Sequence, residues 1–199
     1  MNSPKYKKAI GRNLAELQWV IIHRTTLQGI EQAKPVYHYF LHSAYTGLFN
    51  DYVAHCLKVF DLSIGSASFW YIYRTHEKRV KDFGKASGID VDELQVVAQR
   101  LKHIRDKTHF HIDPEGVLDP KAIWRQADIT GKRLAQAVDA VWKILTHLQQ
   151  LLGLPEVNLP NYTIKSAKEA ALRAESPQSG LQQFIQAGPQ RGPPLNRSV

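Results

Sequence analysis

The segment Arg105-Asp106-Lys107-Thr108-His109-Phe110-His111 is the densest run of chemically capable side chains in the sequence. Between His103 and Asp113 stand three of the nine histidines, one arginine, one lysine and two aspartates. Arginine offers a permanently charged fork that grips two oxygens of a phosphate. Histidine exchanges a proton near neutrality, so the two together suit phosphate-ester chemistry. Asp106, next to Arg105, is placed to orient the guanidinium. On an unbroken α-helix six residues turn through about 600°, which leaves Arg105 and His111 about 120° apart, whereas His109 sits almost over Arg105. His111 is therefore the partner of Arg105 only if the helix ends or bends first, and His109 is the partner if it does not.

Two other readings compete for the same residues. The string His109-Phe110-His111-Ile112-Asp113 has the look of a metallohydrolase ligand set, and imidazole and carboxylate suit zinc or iron. Such sets need strands to aim alternate side chains at one point, and Pro114 stands where a further histidine is expected. The segment is therefore read without metal or cofactor. The plainer alternative is that its cations complement the carbonyl end of a helix and the histidines only pack.

Cations that could follow a phosphate backbone lie nearby and further off. Lys102 and Lys107 flank Arg105; Arg74, Lys78 and Arg79, with Lys81 and Lys85, form a basic run upstream; Lys121, Arg125, Lys132 and Arg133 form another downstream. Each run alone is equally compatible with a solvated face. His38 and His42 are spaced i,i+4 but have no acidic or cysteine companion, so they and His55 are read as structural or surface residues. Tyr37, Tyr45, Tyr52, Phe69 and Trp142 fall at helical spacing and are read as core.

The elements that must position these groups are helices. Ile10, Leu14, Leu17 and Ile21 mark a first helix over about residues 5–30, with Gly29 near its end. After Pro35 the stripe Tyr37, Leu41, Tyr45, Leu48, Tyr52 and Val59 marks a second. Phe69, Ile72, Tyr73, His76, Val80 and Phe83 mark a third, ended by Gly84 and Gly88. Asp90 with Glu93 reads as a capping box for a fourth, whose stripe Val91, Leu94, Val97, Leu101 and Ile104 leads into Arg105; Asp113-Pro114 stops it. A short helical turn runs from Asp119-Pro120 through Trp124. Thr130 caps a fifth helix striped by Leu134, Ala137, Val141, Ile144, Leu148 and Leu152 and closed by Gly153. This predicts an all-α, up-and-down bundle of about five helices over residues 1–153. Residues 154–199 are predicted to be a Pro/Gly/Gln-rich extension, partly disordered, with one short helix over Lys165 to Glu175.

With 199 residues, 43% of them hydrophobic and 22% charged, the chain suits one packed domain and excludes wholesale disorder. The formal charge of +8 favours a polyanionic partner. A single cysteine, Cys56, precludes an intramolecular disulfide and reads as a packing residue rather than a nucleophile. No secretory leader and no 18-residue apolar run is seen, so a cytoplasmic protein without a membrane partner is expected.

Arg105-Asp106 followed by four residues and His111 resembles the R-x(4–6)-H signature of the HEPN superfamily, in which a polar residue commonly follows the arginine. It is the one Arg–His pair at that spacing, at a predicted helix end. Val59-Phe60-Asp61 and Phe69-Trp70-Tyr71 further resemble the abortive-infection U-type branch, and the likeness spans about residues 10–153. The resemblance implies a helical homodimer that brings two motifs to one cleft. It also implies a metal-independent endoribonuclease of toxin or phage-defence type, in which Arg105 holds the scissile phosphate and His111 assists attack of the ribose 2′-hydroxyl. An antitoxin or regulatory partner is implied as well, although Asp113 stands where some members carry a modifiable tyrosine. Other members are non-catalytic RNA- or protein-binding modules, the alternative function for this chain.

Overall fold

A computed structural model of the protein describes residues 3–34, 39–109 and 120–175. Among the described residues the fold is all-α: eight α-helices and one π-helical turn, with no strand. Helix α1 (Pro4–Ala33) starts at Ser3, whose hydroxyl accepts from the Lys5 amide, with proline in the first turn where its missing N–H costs nothing. Ile10, Leu14 and Leu17 are fully buried along it, as their spacing predicts. Gly29 does not end it; α1 continues to Ala33, and Lys34 takes the left-handed turn at φ 47°.

Helix α2 (Tyr39–Phe60) packs along α1 and buries Tyr52, Val53, Cys56 and Phe60. The third helix expected from the sequence is two: α3 (Phe69–Thr75) and α4 (Glu77–Ala86). His76 between them leaves helical geometry at φ −138° and ψ 43°, and its ring lies edge-on to Tyr6 of α1 at 4.4 Å. That contact with α1 occupies the break, which periodicity could not register because the apolar spacing continues across it. Gly84 lies inside α4. The closing residue is Gly88 at φ 66°, where the Ile89 amide reaches back to the Gly84 carbonyl at 2.8 Å.

Helix α5 (Val91–Ile104) is capped by Asp90, whose carboxylate accepts from the Asp92 and Glu93 amides. Glu93 does not complete a capping box; its carboxylate pairs instead with Arg133. A π-helical turn (Arg105–His109) continues α5 directly. Helix α6 (Pro120–Ala127) is next, then α7 (Gly131–Leu151), capped as expected by Thr130 accepting from the Arg133 amide. Leu14, Val53, Leu101, Val141 and Ile144 from α1, α2, α5 and α7 meet in one core, each side chain contributing roughly 1.5–3 kcal/mol by leaving water. The helix count exceeds five because α3 and α4 divide and because α6 and α8 are regular elements.

Helix α8 (Ile164–Glu175) packs against α1. The connection to it is tied down by side chains: the Gln18 amide donates to the Asn158 carbonyl at 2.9 Å, and Gln149 donates to the Pro155 carbonyl. The two helices touch through small residues. A Cβ at Gly29 would stand 2.4 Å from the Cβ of Ala167, which is itself buried, so only glycine permits this approach. Within the 154–199 extension, α8 is therefore part of the packed structure, and residues 176–199 lie outside the described residues. No helix among the described residues is long and apolar enough to cross a membrane.

Gly29→Leu is expected to lift α8 from α1 and to cost about 1–3 kcal/mol, as overpacking at a close approach does. A lowered thermal midpoint, together with faster protease cleavage between Gly153 and Thr163, is the expected readout.

Candidate active site

Asp61 and Arg105, 44 residues apart in sequence, are brought together by the end of α2 and the end of α5. The turn after α2 is built to hold the carboxylate. The Ser63 amide and hydroxyl both donate to Asp61 Oδ1, at 3.1 and 2.8 Å, and the Ser68 hydroxyl donates to the Asp61 carbonyl at 2.5 Å. Behind it the buried Asn13 of α1 donates to the carbonyls of Ala9 and Ala67 at 2.8 and 2.7 Å, fixing the far end of the turn. The Ser63, Ser68 and Ala67-directed Asn13 bonds satisfy carboxylate and backbone oxygens of a partly buried turn, while the second Asn13 bond anchors that side chain to its own helix.

Arg105 meets this turn from the start of the π-helical segment. Its Nη1 lies 3.3 Å from Asp61 Oδ1, while Nε and Nη2 each lie 2.9 Å from Asp106 Oδ1. Asp106 also takes Lys102 Nζ on its other oxygen at 2.6 Å. Two cations and two carboxylates thus balance; among the described residues Nε and Nη1 donate hydrogen bonds, and Nη2 adds an ion-pair contact. Burial pushes the Asp61 carboxyl up, but the Ser63 hydroxyl and amide, Ser66 and the Arg105 charge outweigh it and hold it below its usual value. The Lys102 hydrogen bond chiefly, then Arg105, does the same for Asp106. Both carboxylates are ionised at neutral pH, and the guanidinium is held by its sequence neighbour Asp106 and, across the fold, by Asp61.

A regular α-helix does not carry on past Arg105. A π-turn pairs N–H and C=O groups five apart instead of four, widens the helix and changes the angular phase of the residues beyond it; such turns recur at functional sites. The angles expected for an unbroken α-helix therefore do not apply within Arg105–His109. His111 lies outside the described residues, as do the side chain of His109 and Asp113-Pro114. Lys102 is exposed and Lys107 half-buried on this segment, and Arg74, Lys78 and Arg79 are exposed on α3 and α4. Of the residues singled out in the sequence, Arg105, Asp106 and Lys102 are brought together.

Cys56 is fully buried, and burial pushes its thiol up to about 12 despite Tyr52 and Arg24, which removes it as a nucleophile. Among the described residues no three His, Cys, Asp or Glu side chains are grouped to hold a metal ion.

A second titratable cluster is not foreshadowed by any sequence motif. Glu16 of α1, with its side chain 8% exposed, receives His55 Nδ1 of α2 at 2.5 Å, Lys58 Nζ at 3.3 Å and Arg12 Nη2 at 2.6 Å. The rings of Trp19, His23 and His55 adjoin it, with His23 and His55 centroids 5.6 Å apart and Trp19 stacked on His55 at 18°. His55 is thus a structural residue, as expected, and Glu16 is the carboxylate it serves. The signal in the sequence is Glu16 lying beside the buried stripe of α1, in a position where an unpaired carboxylate is not tolerated.

Burial pushes the Glu16 carboxyl up, but hydrogen bonds from His55 and Lys58 and their charges bring it below the usual 4.5. A depressed carboxyl contributes stability that is complete above its unfolded value and is lost as pH falls through the folded one. Glu16→Gln is expected to destabilise the protein by about 1–3 kcal/mol at pH 7. In thermal melts of both proteins from pH 7 to pH 3, the wild-type advantage is expected to hold down to about pH 5 and then to shrink. Comparisons of this chain with protein families, with curated proteins and with solved structures find no match.

Proposed function

We propose that the protein is a metal-independent endoribonuclease of HEPN-like, abortive-infection type, working as a homodimer in which two copies of the Arg105–His111 motif share one cleft. The observation that carries this reading is the fixed guanidinium. Asp61, from the turn after α2, and Asp106, from the same π-turn as Arg105, orient the guanidinium, and a donor held in place before reaction needs little reorganisation as phosphate charge develops. In the scheme Arg105 uses its remaining N–H groups on the scissile phosphate. His111, or His109 in its place, moves the proton of the attacking ribose 2′-hydroxyl, which leaves a cyclic phosphate on one product. The twin motif supplies the second proton-transfer group, since cleavage requires both an acid and a base. A restraining antitoxin or regulatory partner belongs to the same proposal.

A second reading, a non-catalytic RNA- or protein-binding module, is favoured by one specific feature: the Lys102–Asp106–Arg105–Asp61 group is charge-balanced, so a phosphate must compete with two carboxylates for Arg105.

Incubation of the purified protein with total RNA in EDTA separates the two. The expected result is cleavage with cyclic-phosphate ends, reduced at least about 100-fold by Arg105→Ala and by His111→Ala. Cleavage that EDTA removes, or that survives both substitutions, sinks the enzyme. Salt-sensitive RNA binding without any cleavage establishes the second reading.

A further inference from the structure

Lys5, Lys8, Arg12, Glu16, Trp19 and His23 succeed one another along α1 at intervals of three or four residues. Such intervals keep them within about 80° of arc, on one face that runs about 21 Å from Lys5 to Trp19. Exposed and buried side chains share this face. Lys5, Lys8, Arg12 and Trp19 reach solvent, while Glu16 and His23 are buried.

The cluster around Glu16 therefore has a polarity. Its carboxylate is 8% exposed, whereas the two cations it holds, Arg12 and Lys58, are 73% and 55% exposed. The anion lies beneath and the cations lie outside, so solvent meets positive charge above a buried carboxylate. Trp19 stands among them 51% exposed, and an indole half in water in the middle of a packed helix is an apolar surface with no use in the core. Its ring rests on His55 and near His23, which props it from below. His23 is 8% exposed, and its Nδ1 has no hydrogen-bond partner. Burial first, and then His55, pushes the His23 imidazole below its usual value, with Asp51 pulling the other way, so His23 adds no positive charge at neutral pH.

We propose that this face of α1, with Lys58 from α2, is a binding track for single-stranded RNA: Lys5, Lys8 and Arg12 follow the phosphates, and Trp19 stacks one unpaired base at the end of the track. The pairing of a basic path with an aromatic platform is what sequence-tolerant recognition of single strands requires, because every base has a π-face and every nucleotide a phosphate. Lys5 also lies 5.7 Å from the centre of the Tyr71 ring, which keeps it over the α1–α3 surface rather than sweeping freely. The choice of RNA rests on the ribonuclease reading above. The surface itself shares no residue with the Arg105 group, and the two can fail separately.

The test is fluorescence anisotropy of the full-length protein with a labelled 2′-O-methyl oligouridylate of about ten nucleotides, which has no 2′-hydroxyl to react. Trp19→Ala is expected to weaken binding about tenfold with an unchanged thermal midpoint. Lys5→Ala combined with Lys8→Ala is expected to flatten the slope of log affinity against log salt by about 1.4, the change for two phosphates no longer neutralised. A folded Trp19→Ala protein that binds like wild type, or a double variant with an unaltered salt slope, overturns the track. Wild-type protein that binds no oligonucleotide overturns it too. If Trp19→Ala weakens binding while RNA cleavage survives both Arg105→Ala and His111→Ala, the track is upheld and the ribonuclease reading alone fails.

Discussion

Helix α1 is the constraint on which the rest of the molecule depends. Helices α2, α3, α7 and α8 all pack on it, and it does this by offering a different chemistry on each side. Ile10, Leu14 and Leu17 feed the common core, and Gly29 removes a side chain so that α8 can come close. Asn13 reaches into the turn before α3, and Glu16 draws His55 and Lys58 of α2 towards it. A thirty-residue helix made this way is a scaffold with few dispensable positions. The same rigidity carries over to the turn at Asp61, which is held partly from α1 and in turn holds Arg105.

What could be read from the sequence was what is local. The apolar stripes of α1, α5 and α7, the caps at Asp90 and Thr130, and the polar density at Arg105 all come from short spacings, because helix geometry and helix-end hydrogen bonding are satisfied over one turn. The contacts that define the site are not local. Asp61 with Arg105 spans 44 residues, Glu16 with His55 spans 39, and Gly29 with Ala167 spans more than either. No periodicity encodes them, since each is fixed only when two helices settle at a common distance. The break at His76 was hidden for a related reason: the apolar stripe continues on both sides of it, and only the ring of Tyr6 distinguishes the two halves.

Charge is handled in two ways in this fold. In the group of Lys102, Asp106, Arg105 and Asp61, opposite charges are matched one for one and both kinds are partly exposed, so the cations are oriented by carboxylates at the same level. Around Glu16, the charges are layered, with the anion underneath and the cations outside, so the group is stable inside and positive outside. The formal charge of +8 is thus not a uniform property of the surface. Its effect at any point depends on whether the compensating carboxylate shares the surface or lies under it.

The π-turn at Arg105 has a consequence for how its polar side chains are presented. Closing N–H to C=O over five residues places one more residue in the turn than an α-helix does, so Arg105 and Asp106 stand at a different angular spacing from the residues of α5. Helix α5 keeps its buried stripe, from Val91 to Ile104, in regular α-helical register up to the residue where that spacing changes. The packing of the helix and the presentation of its polar end thus fall to two adjoining stretches with different hydrogen-bond repeats.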